Sequence, residues 1–162
     1  MIEFTRLVHS VDSLRLAEEL QAATLRRDQT VEVLLQINCS GEASKFGCAV
    51  PAAMALAEQI ETMVNVRLRG VMTMAAPSAN ADDARLCFSR CRDLFDEIRG
   101  IVSDPRRFNI LSMGMSNDYE VAISEGANIV RVGSAIFGNN PPPGLAEEIE
   151  EPEDLDGDGA SN

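Results

Sequence analysis

Lysine is almost missing from this chain. Lys45 is the only one, and the other 13 of its 14 basic residues are arginines. Chemistry that needs a Schiff-base lysine therefore has a single candidate. Histidine is reduced to His9, and no Cys-x-x-Cys pair occurs among Cys39, Cys48, Cys87 and Cys91, so the sequence offers no zinc ligand set. Cys87 and Cys91 lie four apart, on one face of a helix, and read as reduced core thiols of a cytoplasmic protein. No apolar run approaches the roughly 20 residues of a membrane-spanning helix. The opening MIEFTRLVHS lacks the apolar core of a signal peptide. Positive charge is also scarce. A net charge of -12 argues against a polyanion-binding surface, and with it nucleic acid as a partner.

What is present suits one domain with a real core, since 162 residues are 45% hydrophobic. Leu7 to Val11 is a short apolar run ending at the N-cap residues Asp12 and Ser13. The helix that follows, Ser13 to Arg27, turns Leu14, Leu16, Leu20, Ala23 and Leu25 to one side. Val31 to Asn38 reads as a buried strand, and Cys39 to Gly47 as a polar loop. Pro51 suits the first turn of a helix to Met63. The cycle repeats with a strand from Val66 to Met74, a loop over 75–80 and an amphipathic helix from Ala81 to Arg99. A strand from Phe108 to Ser112 follows, then a helix through Ala127 and a fifth short strand from Ile129 to Val132. Such alternation implies parallel βα units with helices covering the sheet, either doubly wound or as a barrel. Polar and glycine residues gather after each strand, at the carboxyl edge where such folds build their sites.

After residue 138 the composition changes. Pro141-Pro142-Pro143 stops regular structure, and the acidic stretch EEIEEPEDLDGDG has little to bury. This divides the chain into a domain over 1–138 and an acidic disordered tail over 139–162. Asp154 to Gly159 copies the start of an EF-hand loop but ends before the glutamate at its twelfth position, so no calcium site forms.

Two loops carry the strongest chemistry. Ser112-Met113-Gly114-Met115-Ser116-Asn117-Asp118 and Arg131-Val132-Gly133-Ser134 both follow strands and both precede helical turns. Glycine-freed backbone N–H groups with a nearby hydroxyl make a phosphate cradle, and in barrels that cradle comes from the loops after the last strands. Arg131 lies at the end of a buried strand, where a charge needs a carboxylate or a ligand atom as partner. Glu42 and Lys45 share the loop after the second strand and reach toward the same edge. Tyr119, the only tyrosine, packs or caps.

With these loops the chain resembles the pyridoxal-phosphate homeostasis protein family, single-domain relatives of the alanine racemase N-terminal barrel. The resemblance rests on Val8 to Ser13, on Gln36-Ile37-Asn38 with Glu42, Ser44, Lys45 and Gly47, and on Arg69 to Met74. Its longest stretches are Leu111 to Asp118 and Val130 to Gly138. It implies a partial (β/α)8 TIM-type barrel of about five βα units, with pyridoxal 5'-phosphate at its carboxyl face. By position, Ser112, Gly133 and Ser134 hold the phosphate, Arg131 faces the pyridine nitrogen, and Met74 and Met113 line the pocket. The family's first three strands, with the aldimine lysine, have no counterpart here, and Lys45 belongs to a separate Ser-Lys-x-Gly loop. The contacts expected are therefore non-covalent. The implied role is cofactor carriage and homeostasis without catalysis, in an N-terminally truncated chain with no catalytic residue and no metal. An open arc leaves sheet edges through which the chain can self-associate. The alternatives are a racemase-type enzyme, a phosphate-sugar enzyme using Glu42 as base, and a non-functional fragment.

Overall fold

The computed structural model describes residues 4–42 and 46–138, so Lys45 and the expected tail over 139–162 lie outside the described residues. Strand β1 (Leu7–Val11) leads into helix α1 (Leu14–Leu25), whose N-terminus is capped by the Ser13 hydroxyl accepting from Leu16 N at 3.4 Å. Then come β2 (Val31–Asn38), the two-residue β3 (Cys48–Ala49), and a 3₁₀ turn over Val50–Ala52 running into α2 (Ala53–Glu61). Next are β4 (Val66–Met72), a 3₁₀ turn over Ala81–Ala84 and α3 (Arg85–Arg99). Strand β5 (Ile110–Ser112), α4 (Tyr119–Ser124) and the single turn α5 (Ser134–Phe137) complete the described chain.

All pairings are parallel, and the sheet order is β1-β2-β4-β5, with β3 paired to the end of β2. Each long strand lies beside the next one in the chain, so the sheet winds in one direction and never reverses. A doubly wound sheet needs a reversal; the single direction is that of a βα barrel. Curvature makes the same point. His9 on β1 and Ser112 on β5 are separated by β2 and β4, which in a flat sheet puts their strands about 14 Å apart. Their side chains nevertheless meet, Nδ1 to Oγ at 3.1 Å. The sheet is therefore curled strongly toward closure, as in a barrel wall.

Several expected boundaries shift for identifiable reasons. The fifth strand, expected over Ile129 to Val132, is reduced to one bridge between Ser112 and Ile129, because the Arg131 N–H turns away to Gly114 O at 3.0 Å. The long helix expected from Ala81 starts as a 3₁₀ turn, where the Asn80 side chain accepts from Asp82 N and two aspartates occupy the first turn. In α1 the fully buried residues are Ala17, Leu20 and Thr24; of the expected apolar face Leu20 is buried and Leu14 and Leu16 pack partly buried against the core, but Leu25 is 64% exposed. Thr24 can be buried there because its hydroxyl donates to Leu20 O at 2.8 Å.

The helices cover the outer face. On α3, Cys87, Phe88, Cys91, Leu94, Phe95 and Ile98 recur at helical spacing and are all buried, and Phe95 stacks on Phe108 with ring centroids 5.0 Å apart. Gly70 sits where β4 meets β5 most closely: a Cβ there would lie 1.7 Å from Ile110 O, so only glycine permits the pairing. On the inner face, Gln36, Met72 and Ser112 are adjacent across three strands and all are buried.

Candidate functional site

At the carboxyl edge the loops after β4 and β5 and the segment after the Ile129 bridge surround a cavity of 390 Å³, within the 300–1,000 Å³ typical of small-ligand pockets. Its walls include Ser78, Ser116, Asp118, Arg131, Gly133 and Ser134. Arg131 is half-buried. One guanidinium nitrogen donates to Ser112 Oγ at 2.7 Å, and another donates to Thr73 O at 3.0 Å. Thr73 is fixed in turn by its hydroxyl, which donates to Ile37 O at 2.8 Å. The guanidinium is thus aimed by three strands.

Both hydrogen-bond partners of Arg131 are neutral. Among the described residues it makes no ion pair, and burial holds it below the usual arginine value, with Asp118 and then Cys91 working against that shift. The carboxylate or ligand atom expected from the sequence is therefore not a protein carboxylate in contact. His9 is likewise held below its ordinary 6.5, first by burial and then by the positive field of Arg131. A neutral imidazole here takes the Ser112 hydroxyl proton at Nδ1 while the same oxygen accepts from Arg131, so each group is satisfied. The result is a relay of Arg131, Ser112 and His9 that carries the cation's polarisation from the cavity wall into the barrel interior.

The two loops expected to form a cradle do meet. Ser116 Oγ accepts from Gly133 N at 3.2 Å and from Ala135 N at 3.3 Å. Asp118 folds its own loop by accepting from Met115 N at 2.6 Å. Gly114 makes the turn at φ +94°, and a Cβ there would lie 2.6 Å from Ala122 Cβ, so α4 packs directly on the loop.

Of the six expected cofactor residues, Arg131, Gly133 and Ser134 line the cavity. Ser112 and Met113 are fully buried, and Met74 is half-buried outside the wall. Ser112 spends its hydroxyl on Arg131 and His9, and Met113 belongs to the core cluster. Ser116, which the sequence places in the cradle loop without a role of its own, is a wall residue. Glu42 is exposed and Tyr119 has its hydroxyl 3.5 Å from Glu120; neither lines the cavity. The acid and base that a phosphate-sugar or racemase reading would draw from them are therefore not in its wall.

The alanine racemase N-terminal domain model matches residues 1–141. The pyridoxal phosphate homeostasis protein of Pseudomonas aeruginosa is 42% identical over 136 residues, covering 84% of this chain and 56% of that protein. Two structures of PipY from Synechococcus elongatus superpose with similar extent, each covering 85% of this chain and 63% of PipY. The one without PLP has a TM-score of 0.75 at 32% identity, and the one with PLP bound has 0.72 at 30%. The chain spans a little over half the length of the curated relatives it matches. A family model covering most of the chain, on a singly wound parallel sheet with its cavity at the carboxyl edge, fixes the family: the chain belongs to the alanine racemase N-terminal domain family.

Proposed function

We propose that the chain binds pyridoxal 5'-phosphate non-covalently in the 390 Å³ cavity and serves cofactor homeostasis, not turnover. The observation that carries this reading is Arg131, a half-buried cation in the cavity wall whose hydrogen-bond partners among the described residues are both neutral. A cation so placed favours an anionic or electron-rich ligand atom over water. The relatives agree in kind, since the homologue from P. aeruginosa is a pyridoxal phosphate homeostasis protein and PipY has been solved with PLP bound.

In this reading Gly133, Ser134 and Ser116 contact the phosphate, and Arg131 faces the ring nitrogen. Ser112 acts by aiming Arg131, Met113 backs Ser112 from the core, and Met74 lies at the margin. The cofactor supplies an electrophilic carbonyl and an electron-withdrawing ring. The protein's part is to bind, orient and exclude water. Racemisation would need acid–base groups on both faces of a substrate carbon, and the one carboxylate of the cavity wall, on Asp118, is committed to Met115 N. Carriage is the simpler use of such a wall.

No described helix is long and apolar enough to cross a membrane. We place the protein in the cytoplasm, with a small-molecule cofactor, and with neither nucleic acid nor membrane as a partner; self-association through the open sheet edges accompanies this reading.

The test is a titration with pyridoxal 5'-phosphate followed by cofactor absorbance and protein thermal shift. Saturable binding is expected, weakened about ten- to hundredfold by Arg131→Ala, the loss of one charge-assisted contact of about 1.5–3 kcal/mol. Lys45→Ala leaves it largely intact. Binding that depends on Lys45 and ignores Arg131 would refute the site.

A further inference from the structure

Ser112 is fully buried, and among the described residues its hydroxyl meets an Arg131 guanidinium nitrogen at 2.7 Å and His9 Nδ1 at 3.1 Å. A hydroxyl has one proton to give and lone pairs to receive with. The guanidinium can only donate, so it occupies a lone pair. The hydroxyl proton then goes to His9 Nδ1, and His9 carries its own hydrogen on Nε2. In this arrangement no buried side-chain polar atom among the described residues lacks a partner. A protonated His9 breaks it. Its Nδ1 would donate, and Ser112 would face two cationic donors with its own proton left buried and without an acceptor.

Neither His9 nor Ser112 lines the 390 Å³ cavity, whereas Arg131 does. An effect of His9 on a ligand there therefore passes through the arginine. His9 is half-buried, so a proton can reach it from water. Arg131, from the segment after the Ile129 bridge, is the charged group whose field acts on the imidazole. The carboxylates nearby are otherwise engaged or set apart. On β2, Glu32 lies opposite Leu7 and is taken by Arg69 of β4. Arg67, also on β4, is exposed, and β5 has no titratable side chain. Asp12 follows β1, and Asp118 accepts from Met115 N.

We propose that His9 is a positioning residue for the cofactor site, its Nδ1 lone pair fixing the Ser112 proton and with it the acceptor that holds Arg131 in the cavity wall. A proton arriving on His9 takes that lone pair, and Ser112 can no longer satisfy both neighbours. The arginine is the one able to move, because a single hydrogen bond remains to it, to Thr73 O at 3.0 Å. Cofactor binding and the proton on His9 then oppose one another, each weakening the other by the same factor. This linkage rests on the reading of the cavity as a cofactor site. Its sign is definite. His9 is held below 6.5, so the site is fully assembled above that pH and loosens as pH falls through the His9 value.

The test measures pyridoxal 5'-phosphate affinity from about pH 8 down to about pH 5 for wild type, His9→Asn and His9→Leu. Asparagine places a carbonyl oxygen where Nδ1 stands and cannot titrate, while leucine fills the space without an acceptor. At the upper pH the asparagine variant should bind within about twofold of wild type, and the leucine variant about three- to tenfold more weakly. Toward the lower pH wild type should lose about three- to tenfold relative to the asparagine variant. The cofactor's own ionisations act on both proteins alike and cancel in that ratio. Parallel profiles, or full affinity in the leucine variant, overturn the proposal, and the wild-type and asparagine profiles decide it even where the leucine variant does not fold. A wild type that takes up no cofactor refutes the cofactor reading instead, and the positioning is then judged by NMR on the empty chain. Hydrogen exchange of the Arg131 guanidinium should quicken as His9 takes up its proton, relative to His9→Asn. Exchange that ignores the His9 titration overturns the positioning.

Discussion

Replacing Ser112 by alanine separates the aiming of Arg131 from direct contact with a ligand. The hydroxyl is buried, accepts from Arg131 at 2.7 Å and meets His9 Nδ1 at 3.1 Å, so its removal strips one partner from each. A buried hydrogen bond to a charged group contributes about 1.5–3 kcal/mol and a neutral one about 1 kcal/mol. Arg131 is only half-buried, and water recovers part of its loss, so the expected cost is about 2 kcal/mol. For a chain of this size that lowers Tm by about 4–8 °C, measurable by calorimetry. Pyridoxal 5'-phosphate binding should weaken about three- to tenfold, because the guanidinium is no longer held in place. The decisive measurement is the double variant. If Ser112 works through Arg131, then Ser112→Ala changes binding little once Arg131 is already alanine, and the coupling equals nearly the whole Ser112 effect. Additive losses would mean that Ser112 touches the ligand itself, and an unchanged Tm would mean that the Arg131–Ser112–His9 relay does not hold the fold.

Gly114→Ala puts a Cβ 2.6 Å from Ala122 Cβ at φ +94° and should cost about 1–3 kcal/mol with a matching loss of cofactor binding; wild-type stability in a denaturant melt would contradict the packing of α4 on the loop. Gly70→Ala is more severe, since its Cβ would stand 1.7 Å from Ile110 O, and soluble, cooperatively melting protein would show that β4 and β5 do not pair as described. His9 gives a pH dependence of definite sign. Its folded value lies below 6.5, so the unfolded chain binds the proton more readily. Stability from this group is complete above about pH 6.5 and is lost as pH falls through the folded value. His9→Gln should flatten that part of the stability-pH curve, and an identical acid slope in wild type and variant would assign the dependence elsewhere.

Strand and helix positions were legible because each carries a local signal. The apolar runs of β1, β2 and β4, and the helical spacing of Cys87, Phe88, Cys91, Leu94, Phe95 and Ile98, mark their elements without knowledge of the neighbours. The fifth strand was not, because its residues are apolar enough for a ladder but Arg131 turns its backbone to Gly114. That competition is tertiary. At the site, Gly114, Ser116, Arg131, Gly133 and Ser134 announced themselves as glycine, hydroxyl and a charge at strand ends. The division of labour did not: nothing in the order Ser112-Met113-Gly114-Met115-Ser116 says that the first serine faces the barrel interior and the second the cavity. A strand alternates its faces and the loop after it does not, so the residue that ends β5 and the residue four further on answer to different geometry.

The direction of sheet winding was open in the sequence for the same reason, and it is what makes the site. The Arg131 guanidinium is held from β5 through Ser112 and from the end of β4 through Thr73, whose hydroxyl is anchored on β2, while β1 closes the relay through His9. A flat sheet of the same strands would keep His9 and Ser112 far beyond hydrogen-bond reach. Ser112 would then meet only Arg131, and the hydroxyl that accepts from the guanidinium would lose its own partner on β1. The neutral partners thus do for this cation part of what a carboxylate does elsewhere: they restrain the charge in the cavity wall without pairing it, and curl fixes one of them in turn. A carboxylate in their place would pair the cation and compete with any electron-rich atom entering the cavity. The neutral partners and the barrel curvature are two aspects of one design, and a cofactor held by its contacts alone, without a covalent bond, depends on both.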